Sequence, residues 1–284
     1  MNDIITDRLK TYNCQTSDDE EDALKEITQE VALYGLSKAG FFEKAAFQGG
    51  TCLRIVHGLD RFSEDLDFAL IDTDLNFDIE PYLKETITIM NTYGYNIEIT
   101  GKDKADKNVR TRFLKDDSIK KLVSLEHHSD TRKKIQIMVE VDINPPAGAN
   151  LESEYIDFPI DFSILTHNMP SLLAGKCHAL LCRKHVKGRD WYDFSWYVSK
   201  KTKVNLEMLK NAIYQSGPWK GQEIDVTSDW LLESLTSKIN SLDWKDVRED
   251  VSRFLKPDKQ ESLQLWSKEF FNSKAKKFVA LLNE

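Results

Sequence analysis

The stretch "QGGTCLRIVHGLDRFSEDLDF", residues 48–68, places two adjacent glycines shortly before two aspartates that are one residue apart. The preceding "KAAF" has the pattern of a short strand, and "TCLRIVHG" has that of a helix beginning at or near Thr51. The following "DLDFALI" is typical of a second strand. A strand, a glycine turn, a helix and another strand in this order predict a unit of mixed α and β structure.

The turn itself is suited to binding an anion. Gly49 and Gly50 carry no Cβ, so a phosphate can approach the backbone closely, and Thr51 adds a hydroxyl. The free N–H groups at the start of the predicted helix favour negative charge. A strand–Gly-Gly–helix turn is also a common packing solution, so the turn alone leaves both interpretations open.

The two aspartates strengthen the anion-binding interpretation. In a strand alternate residues face opposite sides, so Asp65 and Asp67 share one face, while Leu66 and Phe68 share the other. Carboxylates roughly 7 Å apart on one strand face repel each other unless a cation lies between them. Such oxygen ligands suit Mg²⁺ together with phosphate oxygens. The alternative is a solvated acidic face, although acidic residues are poor strand formers.

A two-metal site would need a third acid, and "IQIMVEVDIN" supplies it. Asp142 lies at the predicted strand end and is our choice, but Glu140 shares its face and stays open. An ordinary half-buried hairpin strand explains the spacing equally well.

A second group of polar residues lies in "LLAGKCHALLCRKHVKGRDWYDF". Lys176 is in the middle of an apolar helix, where it either extends outward or reaches an anion. The cations at 183, 184, 187 and 189 follow it, and cations at a helix end are ordinary dipole partners. Asp190 is in a position to cap the next helix, and Asp193 is in a position to pair with a basic side chain.

Both groups resemble motifs of the AbiEii/AbiGii toxin family of nucleotidyltransferases, within the polymerase-β-like superfamily. The first motif is matched by Gly49, Gly50, Thr51, Leu53, Arg54, Arg61, Ser63, Asp65, Leu66, Asp67 and Phe68. The later motif, a helical lysine followed by R-D-x-x-D, is matched by Lys176, Arg189, Asp190 and Asp193. Together they bracket about half of the chain. The lysine-to-R-D interval is short here.

The resemblance implies a role for each matched position. Asp65, Asp67 and Asp142 (or Glu140) would be catalytic and would hold Mg²⁺ or Mn²⁺. Lys176 would offset charge on the triphosphate or the leaving pyrophosphate, and Asp190 would orient that lysine or assist deprotonation of the acceptor hydroxyl. The implied nucleotide-binding residues are Gly49, Gly50, Thr51, Arg54, Arg61, Ser63 and Asp193.

The implied fold is α+β, with a nucleotidyltransferase-type mixed β-sheet flanked by helices and a helical C-terminal part. We place the domains at 1–160 and 161–284. Residues 1–18 are predicted to be a loosely held lead-in, and residues 120–128 an extended segment.

The implied function is Mg²⁺-dependent transfer of a nucleoside monophosphate from an NTP to an acceptor hydroxyl, at a tRNA 3′ end, by the toxin of a type IV toxin–antitoxin or abortive-infection system. A cognate antitoxin is an expected partner. The basic residues at 183–189 and 102–112 could attract RNA despite the net charge of −8. The alternatives are a protein or small-molecule acceptor, or a non-catalytic nucleotide-binding module.

Composition sets the remaining expectations. Forty per cent hydrophobic residues suffice for a core in a chain of 284 residues. With no apolar run of membrane-spanning length and no signal pattern, we expect a cytoplasmic protein without a membrane partner. The four cysteines form no C-x-x-C pair and are expected to be reduced thiols.

Overall fold

The computed structural model describes residues 2–101, 108–123, 125–127 and 134–283. These residues divide into two compact units, each formed from several parts of the chain. The first unit comprises Met1–Gly58, Phe62–Pro145 and Glu152–Thr166. The second comprises Leu59–Arg61, Pro146–Leu151 and His167–Glu284. The domain boundary that we place between 160 and 161 stays a prediction.

The first unit is built on a mixed sheet. Within the described residues this sheet has seven strands in the order β3-β4-β5-β2-β1-β7-β6. The strands are β1 Ala45–Gln48, β2 Asp65–Leu70, β3 Ile97–Thr100, β4 Val109–Asp116, β5 Ile135–Asp142, β6 Leu151–Ile156 and β7 Phe162–His167. β2 runs antiparallel to β1 and parallel to β5. The predicted mixed sheet flanked by helices is therefore confirmed.

Helices accompany this sheet in the same unit. They are α1 Asn2–Lys10, α2 Ser17–Lys38, α3 Gly49–Ile55, α4 Glu80–Thr92 and α5 Ile119–Leu122. α2 begins at a capping box: the Thr16 side chain accepts a hydrogen bond from the Asp19 backbone N–H, and the Asp19 side chain accepts one from the Thr16 backbone N–H. α2 and α4 can pack closely because Gly35 has no Cβ; a Cβ there would lie 2.7 Å from the Thr86 side chain.

The prediction of a loosely held lead-in is wrong. α1 buries Ile5 and Leu9, which are one helical turn apart. Arg8 Nε also donates to Glu30 Oε2 of α2 at 3.1 Å, so the helix is fastened by a charged contact as well. The extended segment predicted at 120–128 is also wrong where the structure describes it, since α5 occupies Ile119–Leu122.

The second unit is helical, as predicted. Its helices are α6 Met169–Cys182, α7 Gly188–Ser199, α8 Leu206–Gln215, α9 Ser228–Ser241, α10 Trp244–Ser252, α11 Pro257–Gln260 and α12 Lys268–Ala280. Aromatic side chains dominate the core. Trp244 stacks on Phe271 at 4.3 Å between ring centroids, and Trp191 meets both edge-on.

All four cysteines are in the described part and are free. Over the same residues, none of the helices combines the length and apolar character that a membrane crossing requires.

Candidate active site

The two aspartates of the opening motif lie side by side on one face of β2. Asp65 and Asp67 are half-buried, while the alternate Leu66 and Phe68 are buried on the other face. The apolar pair fixes which way the strand faces, because exposing these two side chains would cost about 2 kcal/mol each. Both carboxylates are thereby directed to the same side.

The neighbouring parallel strand adds two more acids on this face. In the register of β2 with β5, Asp67 pairs with Glu140 and Ala69 pairs with Asp142. Paired residues in a sheet direct their side chains to the same face, so both acids face the same side as Asp67. Glu140 is directly beside Asp67, and Asp142 is one pair further along.

The two candidate third carboxylates differ in their surroundings. Glu140 accepts a hydrogen bond from the Thr111 hydroxyl of β4 at 3.2 Å. Asp142 accepts from the Asn144 backbone N–H at 3.0 Å, which is a strand-ending turn contact. Burial raises the pKa of Asp142, and the Asn144 N–H opposes that shift. The structure thus brings both acids to the predicted face, with Glu140 nearer to Asp67 in register.

The glycine turn packs directly on Asp67. Gly49 has φ +78°, in the left-handed region, and a Cβ there would lie 2.3 Å from Asp67 Oδ2. Thr51 is buried, and its hydroxyl donates to the Asp65 carbonyl oxygen. The turn that begins α3 is therefore held against the strand that carries the aspartates.

The remaining motif residues of the first unit contact α2. Arg54 Nε donates to Glu26 Oε2 at 2.8 Å, and its guanidinium lies 4.9 Å from the centre of the Phe62 ring. The Ser63 carbonyl accepts from the Gln29 side chain at 3.1 Å. These contacts position the two segments around Asp65; the nucleotide-binding roles of Arg54 and Ser63 stay predictions.

The later motif forms a buried charge cluster in the second unit. Arg61, which belongs to that unit, binds Asp193 with two hydrogen bonds of 2.6 and 2.7 Å, and both side chains are almost fully buried. Lys176 Nζ lies 2.7 Å from Asp190 and 2.8 Å from Asp193. Arg183 binds the other oxygen of Asp190. Three cations thus surround two carboxylates.

The charges of this cluster outweigh its burial. Burial alone would raise the pKa of Asp190, but Lys176 and Arg183 lower it to about 2. Burial would likewise raise the pKa of Asp193, and Arg61 and Lys176 hold it below its usual range. Both carboxylates are therefore ionised at neutral pH.

Comparison with known families finds a match that extends over most of the chain. Residues 31–271 match the family model described as "Nucleotidyl transferase AbiEii toxin, Type IV TA system". The chain belongs to this family. No curated protein matches the chain significantly.

Two solved structures are similar to this AbiEii-family protein over most of their length. One is a Helicobacter pylori protein described as a candidate nucleotidyltransferase, 16% identical, with a TM-score of 0.47 over 89% of this chain and 90% of that one. The other is JHP933 from Helicobacter pylori, also 16% identical, with a TM-score of 0.48 over 90% of each chain.

Sequence reasoning overlooked the part of α2 that supports the AbiEii motif. Glu26 and Gln29 are buried on the helix face that contacts Arg54 and Ser63. The signal was present, because polar residues at 26, 29 and 30 interrupt the apolar face of an otherwise amphipathic helix. Buried polar side chains need partners: Glu26 binds Arg54 and the Gln29 side-chain N–H binds the Ser63 carbonyl, whereas Glu30 binds Arg8 of α1.

Proposed function

We propose that this AbiEii-family protein is a Mg²⁺-dependent nucleotidyltransferase that moves a nucleoside monophosphate from an NTP to an acceptor hydroxyl at the 3′ end of a tRNA. The observation that supports this most directly is the face shared by Asp65, Asp67 and Glu140, with the Gly49 turn packed on Asp67. Carboxylates on adjacent strands beside a turn with no room for a Cβ suit a cation that is bound together with phosphate.

The donor set fits the proposed ion. Asp65, Asp67 and one of Glu140 and Asp142 would hold Mg²⁺ or Mn²⁺, since clustered carboxylate oxygens are hard ligands. When bound, such an ion offsets the charge that develops on phosphate oxygens during an in-line displacement. The backbone of Gly49 and Gly50 would lie along the phosphates. Because the Thr51 hydroxyl already donates to Asp65, its backbone N–H would be the group that reaches a phosphate.

The charge cluster of the second unit suits a supporting role. Its three cations exceed its two carboxylates by one charge, which favours an anionic ligand such as a triphosphate or pyrophosphate. A carboxyl with a pKa of about 2 is a poor proton acceptor at neutral pH, so we assign Asp190 to orienting Lys176 rather than to general-base work. Arg61 holds Asp193 in place, so we propose it as a positioning residue instead of the nucleotide-binding residue that the resemblance implies.

The family description supports a wider biological role. We propose that the protein acts as the toxin of a type IV toxin–antitoxin pair and that a cognate antitoxin opposes it. Two alternatives lead to different results: a nucleotidyltransferase with a protein or small-molecule acceptor, and a nucleotide-binding module without turnover. A screen of acceptors with one labelled nucleotide separates the first, and calorimetry showing binding without transfer identifies the second.

The experiment for the proposal is transfer of label from an NTP to total tRNA in the presence of Mg²⁺. We expect labelled tRNA and released pyrophosphate from the parent protein, and loss of both from an Asp65→Asn, Asp67→Asn double variant. Asp72→Asn, an exposed aspartate just beyond β2, is the matched control and should retain activity. Full transfer by the double variant would rule out the proposed metal site, and labelling of another acceptor alone would rule out tRNA.

A further inference from the structure

A second group of potential metal ligands lies in the first unit, outside the residues already discussed. One ligand atom from each of His57, Glu152 and Glu154 lies within 4.8 Å of the other two. His57 follows the C-terminal end of α3, and the two glutamates alternate along β6 so that they share one strand face. Two like charges brought next to an imidazole need a compensating group.

The histidine is in a suitable state to be a ligand. Its Nε2 is buried and has no hydrogen-bond partner among the residues that the structure describes. Burial lowers the pKa of His57, although the charge of Glu154 opposes that shift, so the imidazole is neutral at neutral pH. A neutral ring nitrogen with no hydrogen-bond partner is unfavourable in a buried place unless it binds something. A metal ion bound by the imidazole would also offset the charge of the two carboxylates.

We propose that His57, Glu152 and Glu154 form a second site for a divalent transition-metal ion, Mn²⁺ or Zn²⁺. An imidazole with two carboxylates matches these ions, whereas Mg²⁺ and Ca²⁺ prefer oxygen ligands alone. The site shares no ligand with the Asp65/Asp67 face, and it does not depend on the proposed transferase activity.

The ligands need little movement to close around an ion. Ligand atoms bound about 2.1 Å from one ion in tetrahedral geometry lie about 3.4 Å apart. The widest separation allowed here is 4.8 Å, so rotation of the half-buried glutamate side chains must close at most about 1.4 Å. Three protein ligands leave at least one coordination position for water.

The position of the site gives it a structural consequence. α3 is only seven residues long, with the Gly49 turn at one end and His57 two residues beyond the other. An ion held by His57 and β6 would therefore fasten the end of α3 that lies opposite the glycine turn. The ion would influence the glycine turn only indirectly, through α3.

The test measures Mn²⁺ binding to the full chain in the Asp65→Asn, Asp67→Asn background, where the proposed catalytic ligands are gone. We expect calorimetry to show one Mn²⁺ per chain, and spin-echo electron paramagnetic resonance to show coupling to an imidazole nitrogen. An all-oxygen carboxylate site cannot produce that coupling. Adding His57→Ala to this background should weaken binding by at least roughly tenfold, the lower range for disturbing a metal site, and should abolish the nitrogen coupling.

Two further variants keep the result unambiguous. His185→Ala, which removes an exposed histidine, should change neither affinity nor spectrum. If His57→Ala does not fold, Glu154→Gln is the test variant. Loss of this half-buried carboxylate should lower the affinity for Mn²⁺, while any ion that still binds keeps its coupling to the imidazole nitrogen. The proposal is overturned if the double-aspartate background binds no Mn²⁺, or if its bound Mn²⁺ shows no nitrogen coupling. Neither outcome bears on the transfer assay, so failure of this site is distinguishable from failure of the proposed activity.

Discussion

Glu140 and Asp142 share one face of β5, but the register of the sheet separates them. Glu140 pairs with Asp67, while Asp142 pairs with Ala69 and is engaged by the Asn144 N–H. A metal ligand must lie within a few ångströms of its co-ligands, and adjacent strands are about 4.8 Å apart. The register therefore favours Glu140 as the third carboxylate.

This preference predicts unequal effects of two conservative variants. Glu140→Gln should lower the rate of nucleotide transfer by on the order of a hundredfold or more, exceeding the 10–100-fold typical of residues that only support a ligand. Asp142→Asn should lower it by less than about tenfold. The measurement is the initial rate at saturating NTP over a series of Mg²⁺ concentrations. A larger loss for Asp142→Asn would assign the third position to Asp142, as first chosen from the sequence.

At the scale of secondary-structure elements, α6 and α7 are joined by the buried charges of Lys176, Asp190 and Asp193. Truncating the lysine alone would remove the cation that the two buried carboxylates share and leave each with a single arginine, which is costlier than losing an exposed ion pair. The pairing of these helices therefore depends on the ionisation of Asp190 and Asp193.

This dependence predicts how acid acts on stability. The folded pKa of Asp190, about 2, lies below its ordinary value of 3.8, so its contribution is present above about pH 4 and is lost as the pH falls through 2. In Asp190→Asn the free energy of unfolding should therefore fall less steeply with acid between pH 4 and 2, by up to about 1.4 kcal/mol per pH unit. Urea unfolding at closely spaced pH values measures this slope. Asp246→Asn, an exposed aspartate on α10, is the control, and an unchanged slope in Asp190→Asn would contradict the linkage.

The elements around the glycine turn could be predicted because their information is local. Alternation in "DLDF" fixes the face of β2, and the glycines mark the turn before α3. β6 and β7 could not be predicted, since "LESEYI" follows a Pro-Pro breaker and has three polar residues in a row. α1 was missed because Ile5 and Leu9 are too few to distinguish a docked helix from a polar lead-in.

The parts of the candidate site that could not be predicted depend on distant residues. Asp65 and Asp67 follow from one strand, but the choice between Glu140 and Asp142 rests on the register of two strands far apart in sequence. The partners Arg61 and Asp193 are 132 residues apart, so no local spacing reveals that this guanidinium is engaged by a carboxylate. His57 likewise meets Glu152 and Glu154 only through the order of the strands.

At the scale of the whole molecule, the net charge of −8 opposes binding to RNA, so any binding must come from local positive charge. The segment after α6 supplies such charge through exposed Lys184 and Lys187, beside Arg183. Of the basic residues predicted at 102–112, those at 102–107 lie outside the residues that the structure describes. Arg110 donates to the Leu75 and Phe77 carbonyls, and Arg112 donates to Glu80. We therefore propose the segment after α6 as the RNA contact.

If this segment contacts tRNA phosphates, binding should weaken with salt in proportion to the number of contacts. The slope of log K against log salt concentration changes by roughly 0.7–0.9 for each phosphate neutralised. Lys184→Ala, Lys187→Ala should therefore reduce the slope by about 1.4–1.8. Filter binding of tRNA between roughly 50 and 200 mM salt, the range in which such contacts dominate, measures this slope.

The control is the double variant Lys210→Ala, Lys220→Ala, which removes the same charge from exposed positions elsewhere in the second unit. An equal loss of slope in both pairs would mean that only the overall charge matters, and the tRNA contact would have to lie elsewhere on the protein.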